Sequence, residues 1–355
     1  MEFLFDIPVL GLVVQLLVFL VDVLTRNGTI ILALAAPLAL GALCGVMNER
    51  SGVVNIGIEG MMLASAFVGW FVASAVGQAF PGQPSGVIFG ATVPIIVGVL
   101  AAIVTGMTAS LVHAWLSISL RVDQIISGTI INIVAFGVTG YLNLLLSRTS
   151  TVSGGKFVPF VPPPELVDLP FVGWIFRMFL QQGPITMSVI VLVIIVQIFL
   201  FRSRWGLRTR AVGEHPKAAE TTGIDVIRLR YRNVILGGIF AGLGGAWFTL
   251  DFGSSFENGM TNGRGFIALA ALIFGRWHPV GAFAAALLFA GAGSLGIAIR
   301  TSPPTGQLGE ILTAIPGQVF SALPYVVTII VLAGVVGRST PPAAVGRPYE
   351  RESTS

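Results

Sequence analysis

Charge is scarce in this chain. Only 10% of its 355 residues are Asp, Glu, Lys or Arg, while 54% are hydrophobic, and the mean hydropathy is +0.89. Soluble domains carry about 25% charged residues. So few charges cannot cover a water-soluble protein of this size, and the apolar surplus must face lipid. Lysine is scarcer still, with Lys156 and Lys217 alone. A P-loop needs its lysine within G-x-x-x-x-G-K-[ST], where it reaches the nucleotide phosphates. Lys156 precedes Phe157 and has Ser150 where the first glycine belongs, and Lys217 follows Pro216. The chain therefore has no ATP-hydrolysing site of its own. The single cysteine, Cys44, excludes an internal disulfide and a cysteine-built metal cluster. Neither H-E-x-x-H nor G-x-S-x-G occurs, and His113, His215 and His278 are far apart. Acidic pairs that could hold metal for phosphate chemistry are missing too. No catalytic residue, metal site or bound cofactor is expected, and an integral-membrane transferase lacks its acidic cluster.

What remains is a series of charge-free runs: 60–120, 124–147, 178–201, 233–250, 277–299 and 311–337. Roughly 20 apolar residues cross a bilayer core, so each run holds one crossing and the first holds two. Backbone in lipid must be internally satisfied, which leaves helices or a closed barrel. Barrel strands alternate polar and apolar residues, and these runs do not. The expected fold is all-α, a polytopic integral membrane protein with roughly eight to ten transmembrane helices. Candidate segments fall near 8–24, 29–47, 61–79, 86–107, 124–146, 184–201, 233–250, 264–275, 279–299 and 319–337. The segment 264–275 is short and is expected to be re-entrant or discontinuous. Residues 1–27 form an N-terminal apolar or interfacial segment, 28–338 the transmembrane domain, and 339–355 a polar, disordered cytoplasmic tail. Glu2 and Asp6, with no basic residue beside them, make a poor start for a cleaved signal peptide.

The formal charge of +4 is read as membrane topology, with no role in binding nucleic acid. Eight basic residues, Arg202, Arg204, Arg208, Arg210, Lys217, Arg228, Arg230 and Arg232, crowd into 202–232, so this loop is cytoplasmic. Residues 147–183, with Pro162, Pro163, Pro164 and Trp174, then lie outside as a cap with an interfacial helix. The pairs Gly41/Gly45, Gly86/Gly90 and Gly238/Gly242 have the spacing that lets membrane helices approach closely.

Several interruptions between runs carry polar groups. In the basic loop, Pro216 suits a first helical position and Gly223 the position just past the end. The short helix between them presents Ala218, Ala219 and Thr222. It either docks in a cleft on another protein or lies solvated at the interface. Between two spans, Asn48 to Gly60 gathers Glu49, Arg50, Asn55 and Glu59 among glycines. Irregular backbone at membrane depth tends to mark a substrate path; the alternative is that Glu59 caps its helix start or pairs with Arg50. Leu120 to Gly128 carries Arg121, Asp123 and Gln124, followed by Asn132 inside the next span. Gly263 to Gly281 sets charge at both ends of a short apolar helix, with His278 read as a turn residue.

Together these segments resemble the permease subunits of ATP-binding-cassette importers for nucleosides and simple sugars, a branch related to ribose and branched-chain amino acid permeases. The resemblance is carried by Glu49 to Met62, Leu120 to Gly128, Ala211 to Glu214 with Pro216 and Gly223-Ile224, and Gly265 to Gly281. It covers roughly residues 40–300 and implies a multi-pass bacterial inner-membrane protein. It implies a second, related permease, an ATPase with two nucleotide-binding domains that binds the ATP, and an extracytoplasmic substrate-binding lipoprotein. The short helix then looks like the one that enters the ATPase cleft, through Gly213, Glu214, Pro216, Lys217, Ala218, Ala219, Thr222 and Gly223. Bulky residues at Glu214 or Ala219 should uncouple hydrolysis from uptake. Asn55, Glu59, Gln124 and Asn132 are the candidate path-lining groups. The other readings are a permease for branched-chain amino acids or another small polar solute, and a stand-alone secondary transporter. Sparse intramembrane acids argue against the last.

Overall fold

The computed structural model describes residues 8–80, 89–147, 155–170, 172–304, 306–317, 319, 320, 322, 323, 326, 329, 330 and 340–350. Among these residues the regular structure is helical throughout, with no strand. The helices are α1 (Pro8–Glu49), α2 (Ile58–Ala79), α3 (Val93–Ala114), α4 (Gln124–Ser147), α5 (Pro164–Val167), α6 (Gly173–Leu180), α7 (Pro184–Arg202), α8 (Arg204–Glu214), α9 (Pro216–Thr221), α10 (Val226–Ala246), α11 (Arg264–Phe274), α12 (Pro279–Thr301) and α13 (Gln307–Ala314). Wider π-helical turns, Trp115–Ser119 and Trp247–Phe252, extend α3 and α10. Seven of the described helices are long and apolar enough to cross a membrane, and α11 is a shorter apolar one. The segment expected at 319–337 lies mostly outside the described residues.

Two expectations change. The segments 8–24 and 29–47 are one helix, α1, unbroken across Arg26, Asn27 and Gly28. The Asp22–Arg26 ion pair, at i,i+4 spacing, sits at that junction, where helix geometry favours it. The tail is also not disordered as a whole, since residues 340–350 are packed onto the body. Pro341, Pro342 and Pro348 pre-set the backbone there, and Tyr349 and Ala344 are buried. Residues 339 and 351–355 lie outside the described residues.

The chain divides into two compact units. The smaller comprises residues 1–35, 160–182 and 287–337. Its core joins Phe19 and Val23 of α1 to Ala298 and Ile299 of α12 and to Phe320. Gln182 donates to the carbonyls of Thr29 and Met178 and so ties the end of the Pro-rich segment down.

The larger unit comprises residues 36–159, 183–286 and 338–355 and carries the candidate site. At its centre α2, α3 and α10 pack backbone to backbone. A Cβ on Gly106 of α3 would meet the Gly242 backbone nitrogen at 2.6 Å, and one on Gly98 would meet the Gly69 carbonyl at 2.7 Å. Lipid tails do not drive helices together as water does, so close approach and dispersion must supply the cohesion. Gly106→Leu is therefore expected to destabilise the unit by about 3 kcal/mol. The check is thermal melting of the purified chain in detergent, and unchanged melting would contradict this packing. Gly41 and Gly45 play the same part between α1 and α11, where they receive Ala268 and Leu272.

α4 is the opposite case. Ile133, Phe136 and Tyr141 are 60–67% exposed, and Ile125, Ile126, Ile130, Val134 and Val138 are open as well. An apolar face this long must be covered by lipid or by another subunit.

Candidate functional site

α1 ends at Glu49 and α2 starts at Ile58, leaving eight residues of irregular backbone among apolar helices. Unpaired backbone polar groups there would each cost several kcal/mol. Side chains supply the missing partners. Gln124 Oε1 accepts from Val54 N (2.7 Å), and Asn55 Oδ1 accepts from Gly57 N (3.0 Å). Asn132 Oδ1 accepts from Gly60 N (2.7 Å), while its Nδ2 donates to the Ile56 carbonyl (3.0 Å). His113 Nε2 donates to the Val54 carbonyl (2.9 Å), leaving Nδ1 facing Ser127 Oγ at 3.1 Å. Arg230 Nε donates to the Ser51 carbonyl (3.1 Å). Gly52, at φ +90, turns where a side chain would strike Arg230. Gly128 of α4 lies against Gly57, where a Cβ would come within 2.7 Å of its nitrogen.

Glu59, one residue into α2, spans to α11. Its two carboxylate oxygens accept from Gly263 N (2.8 Å) and Gly265 N (2.6 Å). Gly263, at φ 76, is the N-cap of α11 and has no side chain with which to cap it. The carboxylate replaces that cap and faces the positive end of the helix dipole. α11 is 11 residues long, about 16 Å, roughly half a bilayer crossing. At its far end Trp277 Nε1 donates to Glu49 Oε2 (2.5 Å), and Arg50 donates to the carbonyls of Trp277 (2.8 Å) and Arg276 (3.1 Å). The half-helix is thus held at both ends by acids that flank the break, one to each side.

Beside this capped end lies a pocket of about 550 Å³, bounded by Glu59, Asn132, Phe136, Asn262, Phe266 and neighbours. Two of the four candidate path residues, Glu59 and Asn132, form its wall. The other two, Asn55 and Gln124, are buried at 0% and 4% exposure and hold the break from behind.

The basic loop folds as α8 followed by α9, with Pro216 at the start of α9 and Gly223, at φ +82, just past its end. Lys217, Ala218, Thr222 and Gly223 are exposed, as are Glu214 and His215. Ala219 is 4% exposed and packs with Val212, Val226, Leu229 and Tyr349. Gly213 is also buried, close against the Arg50 carbonyl.

Near this loop, Phe201 is stacked on His278 at 4.4 Å, with the Arg50 and Arg210 guanidiniums 5.6 and 5.0 Å from its ring. Burial holds the Arg50 guanidinium below its ordinary pKa; Glu214 opposes the shift and Arg210 adds to it. Partial burial, then the charges of Arg50 and Arg210, hold His278 below 6.5.

Sequence reasoning passed over His113 and Arg230, the two side chains that reach the break from α3 and α10. Arg230 was one of eight basic residues in its loop, and nothing local separated it from the rest. Asp251 was missed as well. It accepts from Ile185 N, Thr186 N and Thr186 Oγ1 and so caps α7; an acid directly after the uncharged run 233–250 was its signal.

Residues 28–332 match the family described as branched-chain amino acid transport system / permease component. The guanosine ABC transporter permease protein NupQ of Bacillus subtilis is 41% identical over 319 residues, covering 90% of this chain and 94% of that one. The nucleoside ABC transporter permease protein NupC of Lactococcus lactis is 35% identical, covering 89% and 93%. The putative glucose ABC transporter permease protein TsgC13 of Haloferax volcanii is 35% identical, covering 90% and 95%. A second guanosine permease of Bacillus subtilis, NupP, is 27% identical, covering 79% and 76%. No solved structure matches.

Proposed function

We propose, on the premise that the chain belongs to the branched-chain amino acid transport system / permease component family, that it is the membrane-spanning permease subunit of an ATP-binding-cassette importer for nucleosides. The observation that carries this is the 41% identity to a guanosine permease over 90% of the chain. The 35% identity to a putative glucose permease makes simple sugars the second reading.

The proposed assembly contains a second, related permease in the bacterial inner membrane, in keeping with the two guanosine permeases of Bacillus subtilis. The uncovered face of α4 is a surface such a partner could meet. A separate ATPase binds and hydrolyses the ATP, and an extracytoplasmic lipoprotein delivers the substrate. The exposed side of α9 docks in the ATPase cleft on the cytoplasmic side, where the basic loop belongs. Its displacement reaches the break between α1 and α2 and tilts the α11 half-helix that Glu59 caps. The path beside Glu59 and Asn132 then opens to one side and afterwards to the other.

The test is uptake of labelled guanosine by the assembled importer in vesicles. Excess unlabelled nucleoside is expected to compete and excess glucose is not. Competition by glucose alone would move the assignment to the sugar reading.

A further inference from the structure

We propose that the C-terminal strap, residues 340–350, positions the docking helix α9 and links its movement to the break between α1 and α2, a role that rests on the reading of α9 as the ATPase-docking helix. The strap lies beyond the family match, which ends at residue 332.

α9 has only six residues, too few to hold a helical shape or a fixed orientation by itself. Its buried residue, Ala219, sits in a cluster that Tyr349 completes from the strap. The Tyr349 hydroxyl donates to the Glu220 carboxylate on α9. Ala343 N donates to Glu214 Oε2 (3.1 Å) and Ala344 N to the Gly213 carbonyl (2.9 Å), at the joint between α8 and α9. The strap thus grips the docking segment at three points.

It also grips the break. Gly346 N donates to the Gly52 carbonyl (3.3 Å), and Arg230 reaches both the Arg347 carbonyl (3.0 Å) and the Ser51 carbonyl (3.1 Å). Arg230 is 2% exposed and stands 5.9 Å over the Tyr349 ring. Arg121, in the turn before α4, pairs with Glu350 at 2.8 Å; this exposed pair adds little by itself. The strap therefore bridges α9, α10 and the irregular segment that leads into α2, whose Glu59 walls the pocket. Tyr349 touches no substrate and acts through Glu220, as a positioning residue.

The test uses the complete importer in vesicles and reads guanosine imported per ATP hydrolysed, beside the melting of the purified permease. Tyr349→Phe keeps the ring and removes the hydroxyl. It is expected to lower the import-to-hydrolysis ratio about tenfold, the scale of one lost bond to a charged partner, with the chain still folded and its melting lowered less than by loss of the whole strap. Glu220→Gln keeps an acceptor for the hydroxyl and is expected to preserve the ratio. Deletion of 340–355 is expected to lower the ratio at least as far. An intact ratio in both Tyr349→Phe and the deletion would overturn the proposal, as would a ratio raised by the deletion. Ala218→Arg, on the exposed side of α9, separates the two failures. If it uncouples while the strap variants do not, the docking role stands and the strap role falls; if it leaves coupling intact, both fall.

Discussion

Ala218→Arg is expected to abolish ATP-driven uptake while leaving the permease folded. Ala218 is exposed on α9, flanked by Lys217 and the exposed Thr221 and Thr222. An arginine there has room in the free chain. Inside a partner's cleft it would bury a charge without a counter-ion, at about 3 kcal/mol, or roughly a hundredfold in affinity. The measurement is retention of the ATPase during purification, with uptake and melting alongside. Ala219→Trp provides the contrast. Ala219 is enclosed by Val212, Val226, Leu229 and Tyr349, so tryptophan overpacks the chain's own core and melting falls first. If Ala218→Arg retains the ATPase and full uptake, α9 is not the docking element.

Glu59→Ala has the second large effect. The carboxylate accepts from two amides at the first turn of α11. Bonds to a charged group contribute about 1.5–3 kcal/mol each, and helix-end charge adds a few tenths more. Removal leaves both amides without that acceptor beside the pocket, and a loss of about 3 kcal/mol is expected. Glu59→Gln can accept at only one oxygen and turns an amide N–H toward the second donor, so it restores little. Melting in detergent and guanosine uptake should fall together in both variants. Normal uptake and melting in Glu59→Ala would show that α11 is capped some other way.

Class, membrane character and the short α11 were legible in the sequence because each follows from local composition. Charge-free runs specify apolar helices, and arginines at 264 and 276 bracket a run too short to span. The ends of α9 were legible for the same reason, since Pro216 and Gly223 act locally. What was not legible depends on partners distant in sequence. Glu59 reads as a path residue, as the cap of its own helix or as a partner of Arg50; that it caps α11, some 200 residues away, was not legible. The bonds of Asn55 and Gln124 to the break, and their burial there, were not legible either. Ala219 belonged to the small face of α9 by residue type, but Tyr349, 130 positions later, covers it. The tail reads as disordered because its composition is polar and Pro-rich. Its order comes from Arg230, Gly52 and Gly213, which no window around residue 345 contains. The continuity of α1 across Arg26 to Gly28 was hidden for a simpler reason: a charged and a polar residue between two apolar runs look like a loop until the Asp22–Arg26 pair is seen.

Transport in vesicles tests the central claim most directly. Vesicles holding this chain with its second permease and ATPase, supplied with the binding lipoprotein and labelled guanosine, are expected to accumulate the label only when the ATPase has ATP. Vesicles holding this chain alone are expected to accumulate none. Accumulation by the chain alone, collapsed by an ionophore and indifferent to ATP, would contradict the account and make the protein a secondary transporter.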